Sequence, residues 1–406
     1  MLGGVIALIA ARRVGRLRLQ IWQVTLLGAA AMLATGSVSP ADAVRAIDLD
    51  VILFLFGMFV VGYALEASGL LAAAVYRLTR RARSVDALLA VFLVAAGAAS
   101  AVLLNDTVAE VGTPVAIRLA RAHGISPRLA LLALAFGLTT GSVASPIGNP
   151  QNLLIALQGG MASPFVAFLA GLTLPTALAL VAVFVALRVA YRREFHGERL
   201  VHVPDRIDDR ALARLGGAAV ALLLALIVLR LALIAAGAPE ALRLTAIALV
   251  PAALILVASP RRVEVVRRVD WPTLAFFAGL FVVVAGVARS GAVEAVVAAL
   301  GTTAGAPGVV LAASTGLSQL VSNVPLVALD LPVLDHAGAP LEAQLALAAG
   351  STIAGNIAIL GAASNVIIVD IAERRFGITI GFWEFLRVGL PLTLAQLAVF
   401  ALFLGT

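Results

Sequence analysis

Apolar runs long enough to cross a ~30 Å hydrocarbon core, roughly 17–25 residues each, alternate along the chain with short arginine-rich loops. Val51–Ala67, Pro164–Leu187, Leu215–Ala236, Trp271–Ala288 and Phe385–Phe403 read as simple spanning helices, and so do the shorter Ile21–Thr35 and Leu244–Ala258. Gly3–Ala11 is apolar but too short to span unaided. Leu70–Arg83 is amphipathic and ends in Arg77, Arg80, Arg81 and Arg83, which the positive-inside rule places on the inner face.

Two regions break the simple alternation. Val85–Leu104 and Val108–Ala120 are separated only by Asn105-Asp106-Thr107, with basic loops on both sides, so the chain enters and leaves on one face as a re-entrant hairpin. Val309–Leu320 and Leu326–Leu334 repeat that plan around Ser322-Asn323-Val324-Pro325, but the following loop carries Asp335 and Glu342 and almost no Arg, so this hairpin enters from outside. Two further runs, Leu129–Gln158 and Leu345–Ile371, are interrupted at Gly141–Asn152 and Gly355–Asn365. Proline and glycine there forbid a continuous helix. At membrane depth, broken backbone is tolerated only where protein buries it or a polar cavity meets it.

The halves correspond residue by residue. Asp48, Phe54, Gly57, Phe59, Val60, Val61, Ser68 and Gly69 match Asp270, Phe276, Gly279, Phe281, Val282, Val283, Ser290 and Gly291 at a constant offset of 222. Asn105 pairs with Asn323, and Gly141-Ser142…Gly148…Asn152 with Gly355-Asn356…Gly361…Asn365, one residue out of step. The expected fold is an all-α polytopic membrane protein of two inverted-topology repeats, each with a re-entrant hairpin and a broken transmembrane helix. The repeats are residues 1–195 and 214–406, joined by a cytosolic linker, 196–213. Paired interrupted helices in inverted halves point to a binding site near the bilayer midplane of a secondary transporter.

Composition supports a membrane protein: 62% of the 406 residues are hydrophobic and 13% charged. The net charge of +7 lies in short loops, so it marks topology rather than a nucleic-acid partner. There is no Cys, hence no thiolate metal site or thiol redox chemistry. The N-terminus shows no cleavable signal pattern. His123, His196, His202 and His336 fall in loops without metal-ligand spacing. Nucleophile-elbow, zinc-protease and P-loop motifs are absent, so neither an enzyme nor an ATP-driven pump is expected. Arg230, near the outer end of its apolar run, is expected to snorkel.

The candidate chemistry is therefore neutral and oxygen-rich. Thr107-x-x-Glu110 has the form of a capping box. Asp106, beside helix-start N–H groups, is the expected proton or cation coupling residue, because an ionisable group at membrane depth is a functional hypothesis by default. The candidate substrate and ion ligands are Asn105, Asp106, Thr107, Gly141, Ser142, Ser145, Asn149 and Asn152 from the first half. Ser322, Asn323, Gly355, Asn356, Ser364 and Asn365 come from the second. Asp330 faces either the external vestibule or the surface.

These residues resemble the ion-transporter superfamily of arsenite permeases, divalent-anion:sodium symporters and sodium/proton antiporters. The resemblance spans nearly the whole chain. It rests on Asn105-Asp106-Thr107, Ser145-Pro146-Ile147-Gly148-Asn149-Pro150-Gln151-Asn152, Ser322-Asn323-Val324-Pro325 and Gly355-Asn356…Gly361-Ala362-Ala363-Ser364-Asn365. Asn-Asp at the first tip looks closest to the arsenite-permease branch; typical dicarboxylate symporters carry Ser-Asn-Thr at both tips. The resemblance implies that tips and unwound helices together bind substrate and coupling ions, with sodium a candidate at the Asn105 and Asn323 tips. The expected function is secondary active transport of a small anion or oxyacid, arsenite-like or otherwise, driven by a proton or sodium gradient. Alternatives are a sodium/proton antiporter on the same scaffold and, from another class, an ion channel. No cofactor is expected beyond the coupling ion. Expected partners are the substrate, the bilayer of a prokaryotic inner membrane and, as one arrangement, a second copy in a homodimer; no nucleic acid is expected.

Overall fold

The computed structural model describes residues 13–14, 17–18, 20–195, 207–238 and 241–405. After a two-residue ladder, β1 (Arg13–Val14) with β2 (Leu17–Arg18), the described chain is helical. The first half comprises α1 (Ile21–Ala34), α2 (Pro40–Ala46), α3 (Leu49–Ala67), α4 (Leu70–Thr79), the hairpin α5 (Val85–Val102) and α6 (Asn105–Ala122), the interrupted pair α7 (Pro127–Gly141) and α8 (Pro150–Gln158), and α9 (Pro164–Ala190). After α10 (Arg210–Ala235), the same order returns. It runs α11 (Leu244–Ala258), α12 (Arg262–Arg267), α13 (Trp271–Ala288), α14 (Ala292–Leu300), the hairpin α15 (Pro307–Val321) and α16 (Asn323–His336), the pair α17 (Leu341–Ile353) and α18 (Ala363–Phe376), and α19 (Phe382–Leu404). Among the described residues, seven helices are long and apolar enough to cross a membrane.

The repeated residues do the same local work in each half. The Asp48 carboxylate caps α3 by accepting from the N–H groups of Asp50 and Val51, and Asp270 caps α13 by accepting from Thr273. Each satisfies N–H groups that a helix start leaves open. Gly69 and Gly291 link the next helices with φ of 73° and 74°, a left-handed conformation that suits glycine. The helices carrying these repeats are exchanged between halves: α3 packs on α11, and α13 on α1. The close contacts are glycines, Gly57 against Ala248 and Gly279 against Thr25.

Gly141 shows how tightly the interrupted helix is seated. A Cβ there would lie 2.2 Å from the Gly97 Cα of α5. Gly141→Ala must push α5 and α7 apart, an overpacking cost of about 1–3 kcal/mol. The expected result is a lower thermal midpoint in detergent, with Thr139→Ala, two residues away, as the comparison; an unchanged midpoint for Gly141→Ala would show that the two helices yield freely.

Two sequence expectations change. Arg230 does not snorkel: it is buried, and its guanidinium donates to the Leu242 carbonyl in the loop that follows α10. A carbonyl within reach satisfies the guanidinium where it stands. His336 is a helix residue rather than a loop residue, whereas His123 lies in the turn just after α6, as expected. His123 caps α6 with Nδ1 2.7 Å from the Leu119 carbonyl, and His336 ends α16, 3.7 Å from Glu294. His196 and His202, with most of the 196–213 linker, lie outside the described residues.

Candidate functional site

The first interruption is locally encoded. Pro146 and Pro150 cannot continue a helix, but Pro150 suits the first position of a new one. The chain leaves α7 through a tight turn at Ser142–Ala144, extends at Ser145, and restarts α8 with Asn149 as cap, its Oδ1 accepting the Asn152 N–H at 2.8 Å. Carbonyls freed by the break are recovered by side chains. Asn152 Nδ2 donates to the carbonyls of Ser142 and Ser145, each at 3.1 Å. Asn149 Nδ2 donates to Ser142 Oγ at 2.9 Å, and Ser145 Oγ accepts the Ile147 N–H at 3.2 Å. Thr352 reaches across from α17: its Oγ1 donates to Asn152 Oδ1 at 3.3 Å and accepts from Asn149 and Gln151. The structure thus brings Ser142, Ser145, Asn149 and Asn152 together as a buried staple.

The second interruption keeps fewer of its groups engaged. The turns Ala354–Asn356 and Ile359–Gly361 separate α17 from α18. Asn365 Nδ2 donates to the Gly355 carbonyl at 2.7 Å, matching Asn152 in the first half. Asn356 Nδ2 donates to Thr140 Oγ1 and to Gln396 Oε1, and Gln396 Nε2 donates to Thr140 in turn. Gly355 is held close to Ala362 and Thr139, where a Cβ would come within 2.8 Å of the former. The Oδ1 atoms of Asn356 and Asn365 and the Oγ of Ser364 are buried without a hydrogen-bond partner.

Both hairpin tips present the same unsatisfied atom. Asn105 is the first residue of α6; its backbone N–H donates to the Gly148 carbonyl at 3.0 Å, which pins the tip to the first interruption. Its Oδ1 has no partner, and neither has that of Asn323, the first residue of α16. Both side chains are 7% exposed. Ser322, just before, takes φ of 80°, the one non-glycine positive φ among the described residues. Strain of that kind costs of order 1–3 kcal/mol and persists only where its surroundings over-determine it. A buried acceptor without a partner is likewise unfavourable unless a ligand or ion supplies one.

The proposed capping box at Thr107 and Glu110 is not formed. Leu104 occupies the cap position without a side-chain bond, so Thr107 falls inside the first turn and packs against Gly62 of α3. Glu110 is exposed and lines a cavity of about 460 Å³ with Asp370, Arg374 and Arg375. Asp106 is half-buried in the same first turn, and Asp330 lies two turns beyond Asn323 on α16. The return arm of each hairpin packs on the restarted helix of the other half: α6 on α18, and α16 on α8. Among the described residues, no hydrogen bond joins Asn105 to Asn323.

Several polar participants escaped the sequence reading. Thr140, Thr352, Gln319 and Gln396 sit in or beside runs read as apolar, yet each bonds an interruption; Gln319 Nε2 donates to the Ala354 carbonyl at 2.6 Å. The available signal was Thr139-Thr140 and Ser351-Thr352, a hydroxyl pair just before each break.

Residues 6–350 match a family described as CitMHS, citrate transporter. An uncharacterized transporter of Mycobacterium tuberculosis (strain ATCC 25618 / H37Rv) is 30% identical over 405 residues, covering 94% of this chain and 92% of the relative. The silicon efflux transporter LSI3 of Oryza sativa subsp. japonica is 29% identical over 92% of this chain and 90% of its own. The fold is similar to that of the YdaH transporter of Alcanivorax borkumensis, with a TM-score of 0.62 at 18% identity, covering 95% and 96% of the two chains. It is also similar to Neisseria gonorrhoeae MtrF, with a TM-score of 0.60 at 14% identity, covering 92% and 83%.

Proposed function

Because the chain belongs to the CitMHS citrate transporter family, we propose that it is a secondary active transporter of a small anion or oxyacid, driven by a proton or sodium gradient through alternating access. It is an integral membrane transporter and not an enzyme. The observation that carries the finer reading is the set of buried oxygens without partners at helix starts and interruptions: Oδ1 of Asn105, Asn323, Asn356 and Asn365, with Oγ of Ser364. Amide and carbonyl oxygens of unwound segments suit a small cation, and the N–H groups of helix starts suit an anionic or oxygen-rich cargo. Asp106 is the coupling residue in this reading.

The cargo is weakly charged or neutral. No Arg, Lys or His occurs in residues 105–107, 141–152, 322–325 or 355–365, so a multiply charged carboxylate would find no counter-cation there. The rice relative is named for silicon efflux, and silicon dissolves as a neutral hydroxide, as arsenite does. Uptake into everted vesicles, with arsenite, silicic acid, citrate, succinate and sodium compared side by side, tests the reading. Saturable, gradient-dependent movement of an oxyacid supports it. Sodium–proton exchange with no cargo would establish the antiporter instead.

In this reading the transporter sits in a prokaryotic plasma membrane, with 1–195 and 214–406 as inverted halves around the linker 196–213. Arg210 then faces the cytosol and Asp335 the outside. In this Cys-free chain, a membrane-impermeant maleimide should label Asp335→Cys in intact cells and Arg210→Cys only in everted vesicles. Labelling of both from one side would remove the inverted arrangement.

A further inference from the structure

Where α9 ends and α19 begins, the two helices pack together and leave a cavity of about 1530 Å³. Arg188, Arg192, Arg193 and Arg387 line it. Arg188 is engaged: it lies 2.5 Å from Asp86 and over the Phe195 ring at 5.4 Å. Arg192, Arg193 and Arg387 have no ion-pair partner among the described residues. The two carboxylates of the cavity do not neutralise them. Glu194 accepts the Ser126 N–H at 2.8 Å, and Glu384 accepts the Tyr191 hydroxyl at 2.7 Å and faces Arg128 at 3.9 Å. The lining therefore carries four guanidinium groups against two carboxylates, a net charge of +2 among the described residues.

Its other wall is apolar and open. Val189 is 70% exposed and Trp383 76%, and Trp383 packs edge-on against Phe382 at 5.3 Å. Tryptophan at the end of a membrane-spanning helix marks the interface between headgroups and acyl chains. Deeper along the two helices the lining turns apolar, with Val185, Ala186, Val388 and Pro391, while Arg192 and Arg193 lie beyond the end of α9; a charged mouth over an apolar floor matches a lipid headgroup and its chains. At about 30 Å³ of liquid volume per water, the cavity is also far larger than a free phosphate fills.

We propose that this cavity is a binding site for an anionic phospholipid of the inner leaflet. Arg192, Arg193 and Arg387 take the headgroup phosphate, Trp383 sits at headgroup level, and Val185, Val388 and Pro391 lie along an acyl chain. Basic pockets between membrane helices on the cytoplasmic side are suited to such headgroups. The lipid would bridge α9 to α19, and α19 carries Gln396, which bonds Asn356 at the second interruption. The site thus ties a lipid to the helix that supports the cargo region.

The test compares the full chain with Arg192→Gln/Arg193→Gln/Arg387→Gln and with a control, Arg80→Gln/Arg81→Gln/Arg83→Gln, that removes equal charge from another inner loop. Retained lipid is measured by native mass spectrometry, and thermal midpoints are read in micelles doped with phosphatidylglycerol or phosphatidylcholine, or with inorganic phosphate. The expected result is phosphatidylglycerol-specific retention and stabilisation in wild type and control, and its loss in the site variant. Surface attraction of about fivefold per arginine compounds to roughly a hundredfold in affinity. Should the triple variant fail to fold, Arg387→Gln alone is expected to weaken retention about fivefold. Equal response to both lipids, a wild-type response from the site variants, or a full shift from inorganic phosphate alone would each overturn the proposal.

Discussion

Asp106→Asn is expected to leave the transporter folded and able to bind cargo, while accumulation against a gradient falls to equilibration. Asp106 sits in the first turn of α6, beside Asn105, whose N–H is fixed on the Gly148 carbonyl. No salt bridge or side-chain hydrogen bond of Asp106 occurs among the described residues, so its charge is not needed to hold a neighbour. Asn preserves size and hydrogen-bonding capacity but cannot take up and release a proton. Each pH unit across the membrane is worth about 1.4 kcal/mol per coupled proton, roughly tenfold in accumulation. A two-unit gradient should thus give wild type an accumulation ratio on the order of a hundred, and the variant a ratio near one. The measurement pairs pH-driven uptake in everted vesicles with cargo protection in a thermal assay. Undiminished accumulation would return Asp106 to the role of a helix-end carboxylate, and coupling would then rest on the neutral amide oxygens, as a sodium site could.

The parts of the fold legible in the sequence were those set by local backbone chemistry. Asp48 and Asp270 cap equivalent helices because each precedes a long apolar run. Ser68-Gly69 and Ser290-Gly291 turn identically because only glycine adopts that φ without strain. Proline at 146, 150 and 325 marked the breaks and the second tip in advance. What the sequence hid depends on contacts between distant residues. The role of Thr352 is visible only when α17 lies against a segment 200 residues earlier. Thr107 looked like a cap until Gly62 of α3 claimed its side chain. Helix α14, the counterpart of α4, passed unnoticed because Ala292–Leu300 is short and carries no basic end to mark it. Local signals also could not tell asparagines that hold the chain together from those with a free oxygen, although both types sit in matching motifs.

That distinction yields a sharp contrast between Asn152→Ala and Asn105→Ala. The Asn152 amide donates to two buried carbonyls and accepts from Thr352. Truncation leaves those carbonyls only their long backbone contacts from Ser145 and Gly148, at 3.3 and 3.5 Å, and takes the acceptor of the buried Thr352 hydroxyl, a loss of about 1–3 kcal/mol. The thermal midpoint of Asn152→Ala should fall on the order of 5 °C, independently of any ion or cargo. Asn105 differs, because its structural bond is made by the backbone N–H, which alanine keeps. Its Oδ1 has no partner to lose, so Asn105→Ala should fold with wild-type stability in the absence of ligand. A hydrogen-bonding or coordinating contact to a charged ligand is worth about 1.5–3 kcal/mol, so the same variant should lose roughly 10- to 150-fold in affinity for coupling ion or cargo. Asn323→Ala should behave alike. If both tips serve one site, the double variant should lose much less than the product of the two single effects, because contacts to a shared ligand are not additive. Fully additive losses would place the two asparagines in separate sites, and a stability loss in Asn105→Ala equal to that of Asn152→Ala would assign its oxygen to the fold.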